Sequence, residues 1–214
     1  MTDAVSSLDE TTRTVTAVEV DGAPGCRQAL ARTYPTDIDD LWDALTDIER
    51  IPRWFLPVTG ELKVGGHYQF EGNAGGVVEE CDPPHRFRVT WGMGEQTTWV
   101  TVTLARDGDR TRLELEHLGA VPGELWAMFG PSATGMGWDG GLHGLDRHVR
   151  TGEAMTPETA MAWMTSPEGL AFMERSGALW EAADVAGGTD PEEAAARAKR
   201  CIDVYTGRAE PPQH

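Results

Sequence analysis

Cysteine is scarce in this chain of 214 residues. The three cysteines, Cys26, Cys81 and Cys201, stand far apart, are odd in number and form no Cys-x-x-Cys pair. This pattern excludes a disulfide-rich scaffold and favours a reducing, cytoplasmic compartment. No histidine or other base is adjacent to Cys81, and the alternation of its strand points it inward. We therefore expect Cys81 to be a core thiol rather than a nucleophile.

Positive charge is also in short supply. The chain has 18 lysines and arginines against 35 aspartates and glutamates, a formal net charge of -17. Such a field repels polyanions, so nucleic acid and anionic membranes are not expected partners. No apolar run approaches the ~20 residues that span a bilayer. Residues 1–10 lack the basic and apolar regions of a signal peptide, so we expect none.

The motifs of phosphate, dinucleotide and serine-hydrolase sites are missing, and so is the HExxH zinc motif. We therefore expect neither an organic cofactor nor a metal. Asp139 and His143 are four residues apart, a spacing that can place two metal ligands on one helix face, with Asp146 nearby. Because a third strong ligand is not evident, we interpret these residues as a polar outer helix face.

Residues 60–118 contain a two-residue alternation of apolar and polar side chains, broken by short Gly, Asn, Asp and Pro turns. It predicts an antiparallel meander with one face toward the core. A hairpin over Thr12–Val20 and Cys26–Tyr34 precedes it. After Pro35 we expect a helix capped by Thr36, and a short helical piece over Glu49–Trp54.

A helix is predicted over Gly135–Val149, where Trp138, Leu142, Leu145 and Val149 recur at helical spacing. A second face carries Gly137, Gly141 and Gly144. Each internal glycine costs a helix about 1 kcal/mol relative to alanine, so packing must compensate. We expect this helix to lie across the sheet, with the glycine face allowing close approach.

Three further helices are predicted at the C-terminal end, over Pro157–Thr165, Pro167–Ala186 and Pro191–Tyr205, because each begins with a capping residue followed by Pro and Glu. The expected domains are a disordered N-terminus at 1–11, one domain at 12–152 and a helical extension at 153–214. The extension could cover a pocket mouth, enlarge the core or form the interface of a homodimer.

Several segments together resemble one family. They are Trp42-Asp43-Ala44-Leu45-Thr46-Asp47, Trp54-Phe55-Leu56-Pro57, Gly65-Gly66-His67-Tyr68, Glu80-Cys81-Asp82-Pro83-Pro84-His85-Arg86-Phe87, Thr111-Arg112-Leu113-Glu114-Leu115-Glu116-His117 and Met136-Gly137-Trp138-Asp139. This run, from Cys26 to Gly152, resembles the Activator of heat-shock-protein-90 ATPase homologue family of the START/SRPBCC (helix-grip, Bet v-type) superfamily.

The resemblance implies an α+β helix-grip fold: a curved antiparallel sheet around one long C-terminal helix, with two small helices between the first two strands. In many relatives the space between sheet and helix binds hydrophobic ligands. The expected ligand-binding residues are Trp54, Phe55, Tyr68, Phe70, Trp91, Trp99, Leu115, His117, Met136, Trp138 and Leu142. The same side chains could instead simply fill the core.

Three functions follow as hypotheses. The first is a cytoplasmic protein that binds a small hydrophobic or aromatic molecule. The second, implied by some superfamily relatives, is a cofactor-independent cyclase or hydrolase acting on a polyketide-type substrate, with Tyr68 and His117 as candidate catalytic groups. For His117 we favour a hydrogen-bonded or solvated residue at a strand end over a general base. The third is a protein-interaction or chaperone-assisting module.

Overall fold

The computed structural model describes residues 4–93, 96–121 and 123–210. These residues form eight strands and seven α-helices. The strands are β1 (Thr12–Val20), β2 (Ala23–Tyr34), β3 (Val58–Gly60), β4 (His67–Phe70), β5 (Gly75–Asp82), β6 (Arg86–Met93), β7 (Gln96–Asp107) and β8 (Arg110–Ala120). The helices are α1 (Ala4–Leu8), α2 (Ile38–Thr46), α3 (Gly123–Phe129), α4 (Ser132–Thr151), α5 (Pro157–Met164), α6 (Pro167–Ala186) and α7 (Pro191–Tyr205), and a 3-10 turn covers Ile51–Arg53.

The strands form one antiparallel sheet in the order β1-β2-β8-β7-β6-β5-β4-β3. Its inner face is set by strict alternation. On β8, Leu113, Leu115 and His117 are buried, and His117 pairs with the buried Val100 of β7. The α+β helix-grip fold predicted from the resemblance is confirmed. The two small helices, however, follow the second strand rather than the first, because a β1–β2 hairpin opens the chain.

The prediction that Cys81 is a core thiol is wrong. Val78 is the buried residue of β5, opposite Val89, and in a regular strand Cys81, three residues on, would lie on the opposite face. A register shift between Val78 and Glu80 pairs Cys81 with Phe87 instead. Cys81 is next to the last residue of β5, however, and its side chain is exposed.

Helix α2 is capped one residue later than predicted. The Asp37 side chain accepts a hydrogen bond from the backbone N–H of Asp40 at 2.9 Å, whereas the Thr36 hydroxyl donates to the Asp40 carboxylate at 2.6 Å. Trp42 of α2 meets Phe87 of β6 edge to face, with ring centroids 5.9 Å apart. This contact fixes α2 against the inner face of the sheet.

The described chain is divided into two compact units. The first contains residues up to Gln28, then Ala120–Gly140 and the chain from Glu158 onward; the second contains Ala29–Gly119 and Gly141–Pro157. The contacts thus group α5, α6 and α7 with the N-terminal strands rather than in a separate extension over 153–214.

Within the first unit, α6 is the central element. It contacts α1, β1 and α7, and its Trp180 is fully buried. A methyl group at Gly135 of α4 would lie closer than 3.0 Å to the Trp180 ring, so only glycine permits this packing. Residues 4–8, expected to be disordered, instead form α1, because Leu8 is buried in this unit. Residues 1–3 lie outside the described part.

The predicted starts of α6 and α7 are confirmed. The Ser166 hydroxyl accepts from the Gly169 N–H at 3.1 Å, and the Asp190 carboxylate accepts from the Glu192 and Glu193 N–H groups. Proline at the first helical position costs no hydrogen bond there, which explains the repeated pattern. Over the described ranges, none of these helices combines the length and hydropathy that crossing a bilayer requires.

Candidate ligand-binding site

Five of the predicted ligand-binding side chains come together in the second unit. They are Trp54, Phe55, Tyr68, Phe70 and Trp91, called here the aromatic cluster. Ring centroids are separated by 5.6 Å between Trp54 and Phe55, 5.1 Å between Phe55 and Phe70, and 5.5 Å between Phe70 and Trp91. Tyr68 adjoins Phe70 at 5.6 Å. These are the spacings of favourable aromatic pairs, so the cluster is continuous.

The aromatic cluster differs in burial from the rest of the inner face. Tyr68 is buried, but the other four rings are only half-buried, whereas Val89, Val100 and Leu115 around them are buried. Half-buried rings side by side present aromatic surface on which a flat molecule can stack.

A short chain of hydrogen bonds adjoins the cluster. The Thr98 hydroxyl donates to the Trp91 carbonyl oxygen at 2.7 Å. The hydroxyl oxygen of Thr98 also lies 2.7 Å from Nε2 of His117. Because the hydroxyl has only one hydrogen, it must accept in the second bond, and His117 therefore carries its proton on Nε2.

The two candidate catalytic groups are both neutral. Burial lowers the pKa of His117 to about 4, so the imidazole is uncharged at pH 7 and is a weak base. Burial raises the pKa of Tyr68, whose hydroxyl donates to the Thr90 carbonyl oxygen at 2.6 Å. Each group is engaged in a bond with the protein, which matches the hydrogen-bonded interpretation of His117.

Helix α4 is held to the inner face by buried polar contacts in the same unit. The Tyr34 hydroxyl donates to the Leu142 carbonyl oxygen at 3.3 Å. Asp146 forms an ion pair with Arg32 of β2 at 3.0 Å and is bound by Arg150 one turn along the helix. The interpretation of Asp146 as part of an outer polar face is wrong, because Arg32 points inward from the sheet and pairs with it.

Asp139 is likewise buried, in the first unit. Its oxygens accept hydrogen bonds from Arg13 at 2.8 and 3.1 Å, from the Ser176 hydroxyl at 2.6 Å and from the Trp180 indole at 3.0 Å. Burial raises the pKa of Asp139, and the three donors oppose that effect. Asp139 is thus part of a buried polar network, not of the outer face predicted for it.

Metal coordination finds no support in the described part of the chain. There, no group of three or more His, Cys, Asp or Glu side chains lies close enough together to hold a metal ion.

The structure places Trp99 away from the cluster. Its neighbour Val100 is buried on the inner face, so Trp99 projects from the opposite face of β7. There Arg88 lies over its ring at 5.7 Å, and its indole donates to Glu79 at 3.3 Å. Trp99 was assigned to the wrong face, because an aromatic residue alone does not indicate which phase of the alternation is inward.

The remaining predicted residues divide between the units. Leu115 and Leu142 are buried in the second unit, as is His117. Met136 and Trp138 belong to the first unit, where Met136 is fully buried near Gly177 of α6.

Sequence reasoning missed two polar residues on the inner face, Thr98 and Arg32. The signal was available for both. Thr98 shares its phase on β7 with Val100, and Arg32 lies between Leu30 and Tyr34 on the inward phase of β2. The sequence does not show the partner of either side chain, because His117 and Asp146 lie on other elements far away along the chain.

Comparison with known proteins agrees with this geometry. The family described as "Activator of Hsp90 ATPase homolog 1-like protein" matches residues 35–150, more than half of the chain. A search among curated proteins gives no match.

Three solved structures illustrate the range of similarity. CalU16 from Micromonospora echinospora, solved by solution NMR, is 29% identical with a TM-score of 0.69, covering 83% of this chain and 97% of that one. MLL2253 from Mesorhizobium loti is 23% identical with a TM-score of 0.51, covering 58% and 98%. The Aha1 dimer from Colwellia psychrerythraea is 13% identical with a TM-score of 0.51, covering 59% and 97%, and shows the shared fold.

The resemblance recognised in the sequence is therefore confirmed, and the chain belongs to the family of Activator of Hsp90 ATPase homolog 1-like proteins.

Proposed function

We propose that this protein binds a small hydrophobic or aromatic molecule at the aromatic cluster. The family and fold are those of a ligand-binding or activator-like module. The observation that carries the proposal is the row of adjoining rings, four of which keep part of their surface open. A flat apolar ligand that stacks on these rings removes their exposed surface from water, and this burial stabilises the complex.

The electrostatics of the site favour an uncharged ligand. The cluster side chains are apolar or, in Tyr68, neutral, and His117 beside them is uncharged at pH 7. A charged group buried against them would lose its hydration without gaining an ionic partner. Neutral aromatic polyketides, flavonoids and lipids are therefore the classes to screen.

The test compares two tryptophans of similar exposure on opposite faces. Trp91→Leu removes a ring of the cluster, and Trp99→Leu removes the outer ring. Ligands found by thermal shift and native mass spectrometry are then titrated against each variant. We expect Trp91→Leu to weaken binding about fivefold or more, since a lost aromatic contact is worth about 1 kcal/mol or more, and Trp99→Leu to leave the affinity unchanged. Equal effects of the two substitutions would remove the cluster from the binding site.

Catalysis on a polyketide-type substrate is the alternative, and the geometry favours it less. A general base operating near pH 7 needs a pKa near that value. His117 lies well below it, and Tyr68 well above. Turnover that survives both Tyr68→Phe and His117→Ala would rule out catalytic roles for these residues.

A chaperone-assisting role is the other alternative, prompted by the family name and by the dimeric Aha1 relative from Colwellia psychrerythraea. Under it the protein would form a homodimer or bind a chaperone through its acidic surface or C-terminal helices. Light scattering and pull-down of a purified heat-shock ATPase distinguish it from ligand binding.

A cytoplasmic location is part of the proposal and accords with three free cysteines.

A further inference from the structure

The backbone of Trp54 comes close to α4 at Gly144. A methyl group at this position would lie closer than 3.0 Å to the Trp54 carbonyl oxygen. Less than one turn earlier, a methyl group at Gly141 would meet the Phe55 ring at 3.5 Å, an ordinary contact. Two residues of the aromatic cluster therefore adjoin glycines of the helix, Trp54 through its backbone and Phe55 through its ring.

The segment Arg53–Pro57, called here the aromatic loop, is held at both ends. The Arg53 carbonyl oxygen accepts from the Met155 N–H at 2.8 Å. The Pro57 carbonyl oxygen accepts from the Glu71 N–H at 2.9 Å. The ends of the loop are therefore fixed, and the position of its middle depends on the contacts that Trp54 and Phe55 make.

The middle of the loop is also held by hydrogen bonds: the Trp54 and Phe55 N–H groups donate to the Ile51 carbonyl oxygen at 3.1 and 3.0 Å. The Trp54 indole donates to the Ala44 carbonyl oxygen of α2 at 2.8 Å. On the helix side, the Trp54 carbonyl oxygen packs against Gly144. The Phe55 ring in turn meets Phe70 at 5.1 Å. The distance between the aromatic loop and α4 therefore sets the positions of Trp54 and Phe55 relative to the rings on the sheet.

We propose that Gly144 is a specificity-determining positioning residue for the ligand site. Its missing side chain lets the aromatic loop sit close to α4, and this distance sets the position of the Trp54 and Phe55 rings relative to Phe70, and so the shape of the aromatic surface that a ligand contacts. The inference rests on the proposed function, because it concerns the selectivity of the same site. Alanine at this position would force the Trp54 carbonyl outward by on the order of 1 Å and alter that shape.

The same helix supplies a matched control. A methyl group at Gly140 meets no atom within 4 Å outside its own helix, so Gly140→Ala makes the same chemical change without touching the loop. A second variant, Gly141→Ser, presses on the Phe55 ring rather than on the backbone. It keeps the proposal testable if Gly144→Ala does not fold.

The experiment measures the dissociation constants of two neutral aromatic probes of different size, 2-naphthol and N-phenyl-1-naphthylamine, for each variant. Emission of Trp54, isolated as the difference between each protein and its Trp54→Phe counterpart, reports the position of the loop. We expect Gly144→Ala, and more weakly Gly141→Ser, to change the ratio of the two dissociation constants by threefold or more and to shift Trp54 emission. Gly140→Ala should leave both unchanged.

A general loss of stability would weaken the binding of both probes equally and leave the ratio of their dissociation constants unchanged. A changed ratio therefore indicates an altered site rather than a destabilised protein. Binding by the wild-type protein with an unchanged ratio in Gly144→Ala and Gly141→Ser overturns the inference alone. Failure of the wild-type protein to bind either probe contradicts the proposed function, and the inference falls with it.

Discussion

His117 is a histidine that the fold keeps neutral. Its ring is enclosed on the inner face of β8, and the Thr98 hydroxyl accepts its one Nε2 proton. Adding a second proton would place a positive charge among apolar neighbours, and this desolvation lowers the pKa to about 4. A free histidine has a pKa near 6.5, so the folded and unfolded chains bind protons differently between these two values.

This difference predicts a pH dependence of stability. Between pH 6.5 and pH 4 His117 is protonated in the unfolded chain but not in the folded chain. The free energy of unfolding therefore falls as the pH falls from 6.5 to 4. The full difference approaches about 3 kcal/mol. His117→Gln removes the titrating group, and urea unfolding at several pH values should show a shallower decline for this variant than for the wild type.

His85 provides the comparison, because its side chain is exposed. His85→Gln should follow the wild-type curve at every pH. Parallel curves for His117→Gln and the wild type between pH 4 and 6.5 would show that His117 is not held neutral by the fold.

Single residues also show where alternation is a dependable guide. It placed His117 inward correctly, because β8 runs without interruption from Leu113 onward. It fails for Cys81, because the buried residue of β5 is Val78, which is in the opposite phase, and because the register shift between the two depends on strand pairing that the sequence of one strand does not show. For Trp99 the phase of the strand is a better guide than the size of the side chain, since the neighbouring Val100 is the buried residue.

Helix α4 is the element whose sequence conflicts most with its conformation. Glycine is a poor helix former, and the helix contains several. The structure explains them one at a time. Gly135 accommodates the Trp180 ring, Gly144 accommodates the Trp54 carbonyl, and Gly140 faces open space.

Of the glycine face predicted to allow close approach, Gly144 alone would place a methyl group closer than 3.0 Å to another atom, whereas Gly137 and Gly141 have ordinary contacts at 3.6 and 3.5 Å. The neighbours of these glycines lie far away in sequence and could not be named from it.

The same substitution should therefore have opposite effects along α4. Gly140→Ala should stabilise the protein by up to about 1 kcal/mol, because alanine gains helix propensity and meets nothing. Gly135→Ala should destabilise it by about 1–3 kcal/mol or more, because the methyl group overlaps the Trp180 ring. Urea unfolding measures both. A stabilising Gly135→Ala would mean that Trp180 does not pack on the helix as described.

The arrangement of the whole chain was the least accessible from sequence. The caps of α6 and α7 were readable because they are local signals. Their membership in the first unit was not, because it depends on contacts such as those of Trp180 and Ser176 with Asp139, some forty residues away in sequence. The predicted domain at 12–152 and the two compact units are therefore different divisions of the same helices and strands.

Truncation separates these divisions. A chain ending at Thr156 loses α6, and with it the donors Ser176 and Trp180 that satisfy the buried carboxylate of Asp139. We expect this chain to lose cooperative urea unfolding, because the Asp139 carboxylate keeps only Arg13 of its three donor residues and the apolar surface that α6 covers is exposed to water. A chain ending at Ala209 keeps all the helices and should unfold like the full protein. A chain ending at Thr156 with the midpoint of the full protein would establish 12–152 as an independent domain.

Ligand binding at the aromatic cluster is tested most directly by NMR of the tryptophan indole N–H groups, assigned by single Trp→Phe substitutions. Addition of N-phenyl-1-naphthylamine to the full chain should shift the indole signals of Trp54 and Trp91. The signal of Trp99, on the outer face, should not move. Shifts of Trp99 without Trp54 and Trp91, or no shift of any indole at saturating probe, would contradict the account.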